Sequence, residues 1–186
     1  MKKREKARVF LLSVFTLMIF FGSLAWINEN YTKPVLKLQR PSHVYMLDKV
    51  GALAKIDTLY LWDKQDRQKY FNELLLNNPL KFQNIDADIQ AHWVEEAGFS
   101  FPSGHTYNAF LFAMLIAYAI YHNRSKVHLR KWYVLPFVWA YMVGVSRVAM
   151  GAHSALDVSV GALMGVLTAC LFLYVDITRH WLTRKD

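Results

Sequence analysis

The sequence predicts an all-α, polytopic membrane helix bundle: four transmembrane helices, with a small helical extramembrane cap between the first and second. Three observations predict it. Of the 186 residues 54% are hydrophobic, with twelve Phe, ten Tyr and six Trp, so a membrane class is tested before any soluble one. Four stretches approach the roughly 20 apolar residues that a helix needs to cross a bilayer. The formal charge of +8 is concentrated beside those stretches instead of being spread along the chain. The length suits one domain, residues 1–186.

Taken in order, the first span is expected over about 9–30. It reads as an uncleaved anchor and not a signal peptide, because Phe20, Phe21, Leu24, Trp26 and Ile27 leave no small-residue cleavage site. The second and third spans, about 103–121 and 132–148, reach membrane length only by including polar residues at their ends, Ser103 to His105 and Ser146 to Arg147. Those residues are therefore expected near the bilayer surface. The fourth span covers about 155–175. Residues 1–8 hold five Lys or Arg and one Glu, residues 122–131 four basic residues and no acid, and residues 176–186 three basic and two acidic ones. With both termini cytoplasmic, every one of these blocks falls on the cytoplasmic face. The segment from Tyr31 to Phe101, with nine basic and nine acidic residues, then lies outside.

That external segment supplies the cap, about 42–100. Residues 58–78 and 86–95 carry patterns suited to short amphipathic helices. Its aromatic residues Tyr60, Trp62, Tyr70, Phe71 and Trp93 fit either a position in the headgroup layer or a small core for the cap. The single cysteine, Cys170, cannot form an intrachain disulfide.

Three polar clusters stand where this topology favours apolar residues: KPVLKLQRP at 33–41, FSFPSGHT at 99–106 and SRVAMGAHSALD at 146–157. The topology puts all three at the external interface, where packed helices bring them together. His153 and Asp157, four apart, share one helix face if the fourth helix starts near Gly151. His105 opens the second helix on the same side. Two histidines, one oriented by a carboxylate, supply the nucleophile and the acid that phosphoryl transfer through a covalent intermediate requires. Lys33, Arg40 and Arg147 can surround a phosphoryl group, and Ser103 and Gly104 precede a helix start that favours an anion.

Other readings of these residues are open. Lys33 and Arg40 singly fit snorkelling side chains, and His153 with Asp157 fits a structural hydrogen bond. His105, His153 and Asp157 also form a conceivable two-His, one-carboxylate metal site. The cations Lys33, Arg40 and Arg147 oppose a metal there, so no metal and no cofactor are expected. No Gly-rich nucleotide loop and no basic-aromatic pattern suited to nucleic acid is present. A phosphotransferase and a catalytically silent lipid-phosphate-binding membrane protein stand as alternatives to a hydrolase.

The clusters resemble the three signature motifs of the type 2 phosphatidic acid phosphatase superfamily. Lys33, Arg40 and Pro41 match the first, Pro102 to His105 the second, and Ser146, Arg147, His153 and Asp157 the third. Within it the chain looks most like the bacterial phosphatidylglycerophosphatase B group, through the segment IQAHWVEEAGFSFPSGHT. The resemblance implies His153 as nucleophile, Asp157 as its orienting partner and His105 as general acid. It further implies Lys33, Arg40, Ser103, Gly104 and Arg147 as phosphate ligands without metal. The substrates it implies are phosphatidylglycerophosphate, undecaprenyl diphosphate and phosphatidic or lysophosphatidic acid, entering laterally at the external side of a bacterial inner membrane. Members of that group usually have six membrane helices, so two N-terminal helices are expected to be absent. Whether a homodimer replaces their contacts is left open.

Overall fold

The computed structural model describes residues 15, 19, 21–122 and 124–174. The basic block at 1–8, most of the first apolar run and the tail at 176–186 lie outside the described residues. All the regular structure described is helical. Helix α1 covers residues 21–27 and runs through a π-helical turn, Asn28–Thr32, into α2, Lys33–Leu36. Pro34 has no N–H to give to the turn before it. The backbone widens there, so that the amide of Lys33 donates to Asn28 O, five residues back. Lys37 then ends α2 in the left-handed region at φ 50.

The cap follows as α3 (Pro41–Lys49), α4 (Ile56–Leu59), α5 (Lys64–Asn77), α6 (Pro79–Phe82) and α7 (Ala87–Glu95). Asp63 and Asp86 cap α5 and α7, their carboxylates accepting from the amides of Asp66 at 2.9 Å and Asp88 at 2.8 Å. Met46, Leu47, Phe71 and Phe82 are essentially inaccessible, and Tyr60 and Trp93 join the same cluster. Trp62 stays exposed. The cap thus has a core of its own, built from three of its five aromatic residues named above. Within it His43 stacks on Phe71 with ring centroids 4.1 Å apart.

The bundle consists of α8 (Gly104–His122), α9 (Leu135–Ala149) and α10 (Ala155–Tyr174), with a 3-10 stretch, Arg124–Trp132, joining α8 to α9. Gly161 and Gly165 let α10 lie directly on the backbone of α8. A Cβ on Gly161 would stand 2.6 Å from Ser103 O, and one on Gly165 would collide with Tyr107 O. This is the small-residue spacing by which apolar helices approach closely. Gly144 on α9 has the same role, with Val158 Cγ1 2.9 Å from where its Cβ would be.

Among the described residues one helix, Ala155–Tyr174, is long and apolar enough to cross a membrane. The reason the other two described runs fall short is local. Helix α8 begins with Gly104, His105 and Asn108 and ends on Tyr118, Tyr121 and His122, while α9 has only 15 residues.

Candidate active site

The site is assembled by hydrogen bonds between segments distant in sequence. The amide of Ser103 donates to Asp157 O at 3.0 Å, which ties the start of α8 to the first turn of α10. The amide of Ser100 donates to Leu38 O at 2.9 Å, which brings the strand-like stretch carrying Arg40 alongside. The turn between α9 and α10 is then held from the cap and from Arg40 just before it. Trp93 Nε1 donates to Met150 O at 2.6 Å, Ser42 N to Gly151 O at 2.9 Å and Arg40 Nη1 to Ala152 O at 3.0 Å. Gly151 makes this turn at φ +69 with its missing side chain facing the Trp93 ring.

His153 is not on the helix that carries Asp157, contrary to the shared helical face expected from the spacing. Helix α10 begins two residues later, at Ala155, because Ser154 and Asp157 form a reciprocal capping box. Ser154 N donates to Asp157 Oδ2 at 2.8 Å and Asp157 N to Ser154 Oγ at 3.2 Å. The carboxylate still faces the imidazole: His153 Nδ1 lies 3.6 Å from the same Oδ2. That is beyond hydrogen-bond length, and Nδ1 has no hydrogen-bond partner among the described residues.

A cavity of about 300 Å³ brings together Lys33, Arg40, Gly104, His105 and His153. His153 is buried and Nε2 lies 3.4 Å from Arg40 Nη1. His105 is more open, with 57% of its side chain exposed. Gly104 begins α8, where first-turn N–H groups lack intrahelical acceptors. Three expected residues do not line the cavity. Asp157 stands behind His153, and Ser103 is fully buried with its hydroxyl on Thr106 Oγ1 at 3.0 Å. Arg147 is reached only through a carboxylate.

That carboxylate, Glu96, was not among the sequence-expected residues. It follows α7, with Oε2 2.6 Å from Arg40 Nη1 and Oε1 2.9 Å from Arg147 Nη2. Oε1 is also 3.7 Å from His92 Nε2 and 4.0 Å from His105 Nδ1. Glu29 holds Lys33 in the same way, at 2.6 Å. Lys64, Asn28 and Asn108 also line the cavity. The visible signal for Glu96 was its place four residues after His92 and nine before His105.

Burial alone would raise the pKa of Glu96, but Arg40 and Arg147 outweigh it and hold the carboxyl below its ordinary value. His153 is displaced downward by burial, with Arg40 adding to the effect against Asp157 and Glu96. The shift favours the neutral imidazole. Among the described residues no group of three or more His, Cys, Asp or Glu is arranged to hold a metal ion.

Two histidines, His105 and His153, two carboxylates, Glu29 and Glu96, and three cations, Lys33, Arg40 and Lys64, thus line one cavity of a helical protein. The PAP2 superfamily is matched over residues 7–181, and the chain belongs to that superfamily. Phosphatidylglycerophosphatase B of Escherichia coli (strain K12) is 27% identical over 166 residues, covering 87% of this chain and 58% of that protein. The Bacillus subtilis (strain 168) protein of the same name is 38% identical over 97 residues, 50% of this chain and 47% of that one. Probable lipid phosphate phosphatase 4 of Arabidopsis thaliana is 31% identical over 114 residues, 55% and 37% of the two chains. The chain thus matches little more than half the length of the first of these relatives and less than half of the other two.

Proposed function

We propose that this protein is a metal-independent lipid phosphatase that removes a terminal phosphate from a membrane lipid monophosphate or diphosphate through a phosphohistidine intermediate. The observation that carries the reading is the convergence of His153, His105, Lys33 and Arg40 on one cavity from three separate segments. The names of the relatives point the same way: phosphatidylglycerophosphatase and lipid phosphate phosphatase.

The four-span arrangement, with both termini cytoplasmic and the cavity on the external side, belongs to the same proposal. Two features support it beyond the charge pattern. Only 28% of the apolar window of α10 is buried, whereas the core helix of a soluble protein is mostly enclosed. Trp139, Tyr141 and Met142 on α9 and Leu163, Leu167 and Leu171 on α10 are exposed. An apolar surface of that kind requires lipid or a partner to cover it.

In the reaction His153 Nε2 attacks phosphorus as the bond to the lipid oxygen breaks, and the imidazolium of His105 gives its proton to that oxygen. Asp157 faces Nδ1 and stabilises the positive charge that develops on the ring. Water then attacks phosphorus, His105 takes its proton, and the P–N bond breaks to release phosphate and regenerate His153. Lys33, Arg40 and Arg147 act where charge accumulates on the phosphoryl oxygens.

His153→Ala is expected to abolish phosphate release from short-chain phosphatidic acid. Removal of covalent catalysis costs several kcal/mol, so residual activity above about a tenth would sink the nucleophile assignment. Release of inorganic phosphate without an added acceptor separates hydrolysis from phosphotransfer. A panel of phosphatidylglycerophosphate, undecaprenyl diphosphate and phosphatidic acid in bilayers then ranks the substrates.

A further inference from the structure

One cation of the cavity comes from the cap and has no role in the reaction described above. Among the described residues three cations line the cavity, Lys33, Arg40 and Lys64, with two carboxylates, Glu29 and Glu96. Glu29 holds Lys33 at 2.6 Å and Glu96 holds Arg40 at 2.6 Å. Lys64 has no carboxylate within ion-pair distance among the described residues, so the unbalanced positive charge of the cavity wall is its own. The helix it opens sets its place. Asp63 caps α5 and makes Lys64 the first helical residue, where a cation opposes the helix dipole and gains nothing from the helix itself. Arg67 and Gln68, three and four residues on, share its face. Arg67 Nε donates to Ala97 O at 2.8 Å and Gln68 Nε2 to Glu95 O at 2.8 Å. That face is therefore seated on residues 95–98, of which Glu96 and Gly98 line the cavity. Depth separates the cations. Lys33, Arg40 and His153 are buried, whereas Lys64 is exposed and stands at the rim.

We infer that Lys64 forms a second anion subsite, which receives a phosphate group attached behind the scissile one. The attachment is direct in a lipid diphosphate and runs across a short linker in phosphatidylglycerophosphate. The inference rests on the phosphatase reading above, which seats the scissile phosphoryl group against His153. Lys33 and Arg40 hold that group at depth, and His105, more exposed, meets the leaving oxygen on the way out to the rim. At about 300 Å³ the cavity is of small-molecule size, with room beyond one phosphoryl group. With a diphosphate, the P–N bond to His153 forms as the bond from the scissile phosphorus to the bridging oxygen breaks. The electron pair stays on that oxygen. The departing lipid monophosphate therefore gains negative charge as the bond breaks, and a cation beside it contributes most in the transition state. Phosphatidic acid has no second phosphate, and its leaving oxygen belongs to a glycerol. The general attraction of Lys64 for phosphate acts on both kinds of lipid, but the direct contact acts on one.

The test uses the full chain in nanodiscs and two matched pairs of lipids: farnesyl diphosphate against farnesyl monophosphate, and phosphatidylglycerophosphate against phosphatidic acid. Within each pair the tail is shared and the second phosphate is added. The quantity read is the ratio, within a pair, of kcat/KM for phosphate release. In Lys64→Met that ratio is expected to fall about tenfold in at least one pair, the size of effect when one charge-assisted contact is lost. The pair in which it falls tells whether the subsite takes a directly bonded or a linked phosphate. Lys64→Arg keeps the charge and is expected to restore the ratio, and Lys64→Gln carries the same measurement if the methionine variant does not fold. Ratios unchanged in both pairs overturn the inference, including the case in which both members of each pair fall together and Lys64 is only a general attractor of phosphate. A ratio as low in Lys64→Arg as in Lys64→Met overturns it too, as does a wild type that turns over only the single-phosphate member of both pairs. If the wild type releases no phosphate from any of these lipids, the phosphatase reading fails by itself. Calorimetric binding of the farnesyl pair to wild type and Lys64→Met then still decides, by the same ratio, whether Lys64 holds a second phosphate.

Discussion

Asp157 does two jobs with one carboxylate, because the oxygen that faces His153 also accepts the amide of Ser154 and starts α10. The two can be separated. Asp157→Asn keeps an acceptor for the amide but removes the charge opposite the imidazolium, so turnover is expected to fall by about 10²- to 10⁴-fold, as for the aspartate of a catalytic triad. Its melting temperature should move little. Asp157→Ala loses the cap as well, and a further destabilisation of about 1 kcal/mol is expected in a denaturation midpoint. Most individual site residues were legible in the sequence. Ionisable groups such as Lys33, Arg40, His105 and His153 stand out when the surrounding runs are apolar. Glu96 was not legible, since it is one of nine acids in a segment of balanced charge. Only the folding of α7 against Arg40 and Arg147 distinguishes it from Glu95 beside it. The shared helix face of His153 and Asp157 was misread for a related reason: spacing alone does not reveal that Ser154 starts the helix.

At the scale of elements, the contact between α8 and α10 depends on two glycines. Gly165→Leu is expected to force the helices apart, because its Cβ alone meets Tyr107 O, at a cost of about 1–3 kcal/mol or more. Loss of activity together with a lowered melting temperature in detergent would check it, with Gly165→Ala giving a smaller effect. This contact was visible in the sequence as two glycines four apart in an apolar run and was not read.

The cap makes a different prediction. Burial pushes His43 down to about 3, with Arg40 and Arg67 acting in the same direction and the carbonyl of Trp93 and Glu96 opposing. That carbonyl accepts only, so Nε2 is the protonated nitrogen, and Nδ1 accepts from the Tyr60 hydroxyl at 2.8 Å. Between pH 6.5 and 3 the unfolded chain holds a proton that folded His43 lacks. The stability involved is complete above pH 6.5 and declines as pH falls, by up to about 1.4 kcal/mol per pH unit. The melting temperature of His43→Gln is expected to depend less on pH over this range than that of the wild type. An equal slope in both proteins would place the pH dependence elsewhere.

For the whole molecule, the sequence pattern and the helices weigh the membrane question differently. Charge asymmetry sums information over long stretches, including residues 1–8 and 176–186. The length and apolarity of single helices single out α10, because α8 spends its first turns on the site and α9 is short. Topology can be measured directly. In a Cys170→Ala background, a membrane-impermeant maleimide applied to intact cells is expected to label Lys81→Cys in the cap. His128→Cys, between α8 and α9, should react only after permeabilisation. Labelling of both from outside would contradict the four-span arrangement.

The turn before His153 has its last three carbonyls, those of Met150, Gly151 and Ala152, hydrogen-bonded in turn by Trp93 and Ser42 of the cap and by Arg40 just before it. This has a consequence for engineering and for descent. A cap joined to the turn before His153 at two successive peptide groups, with Arg40 holding the next, is not an interchangeable module. A chimera that imports a relative's cap alone is expected to keep the turn before His153 in place only if the imported cap brings donors to the positions of Ser42 N and Trp93 Nε1. One that imports residues 38–103 together with 150–157 transfers a matched set. Variation in substrate choice among relatives with such a linkage would have to arise by paired change in the two segments.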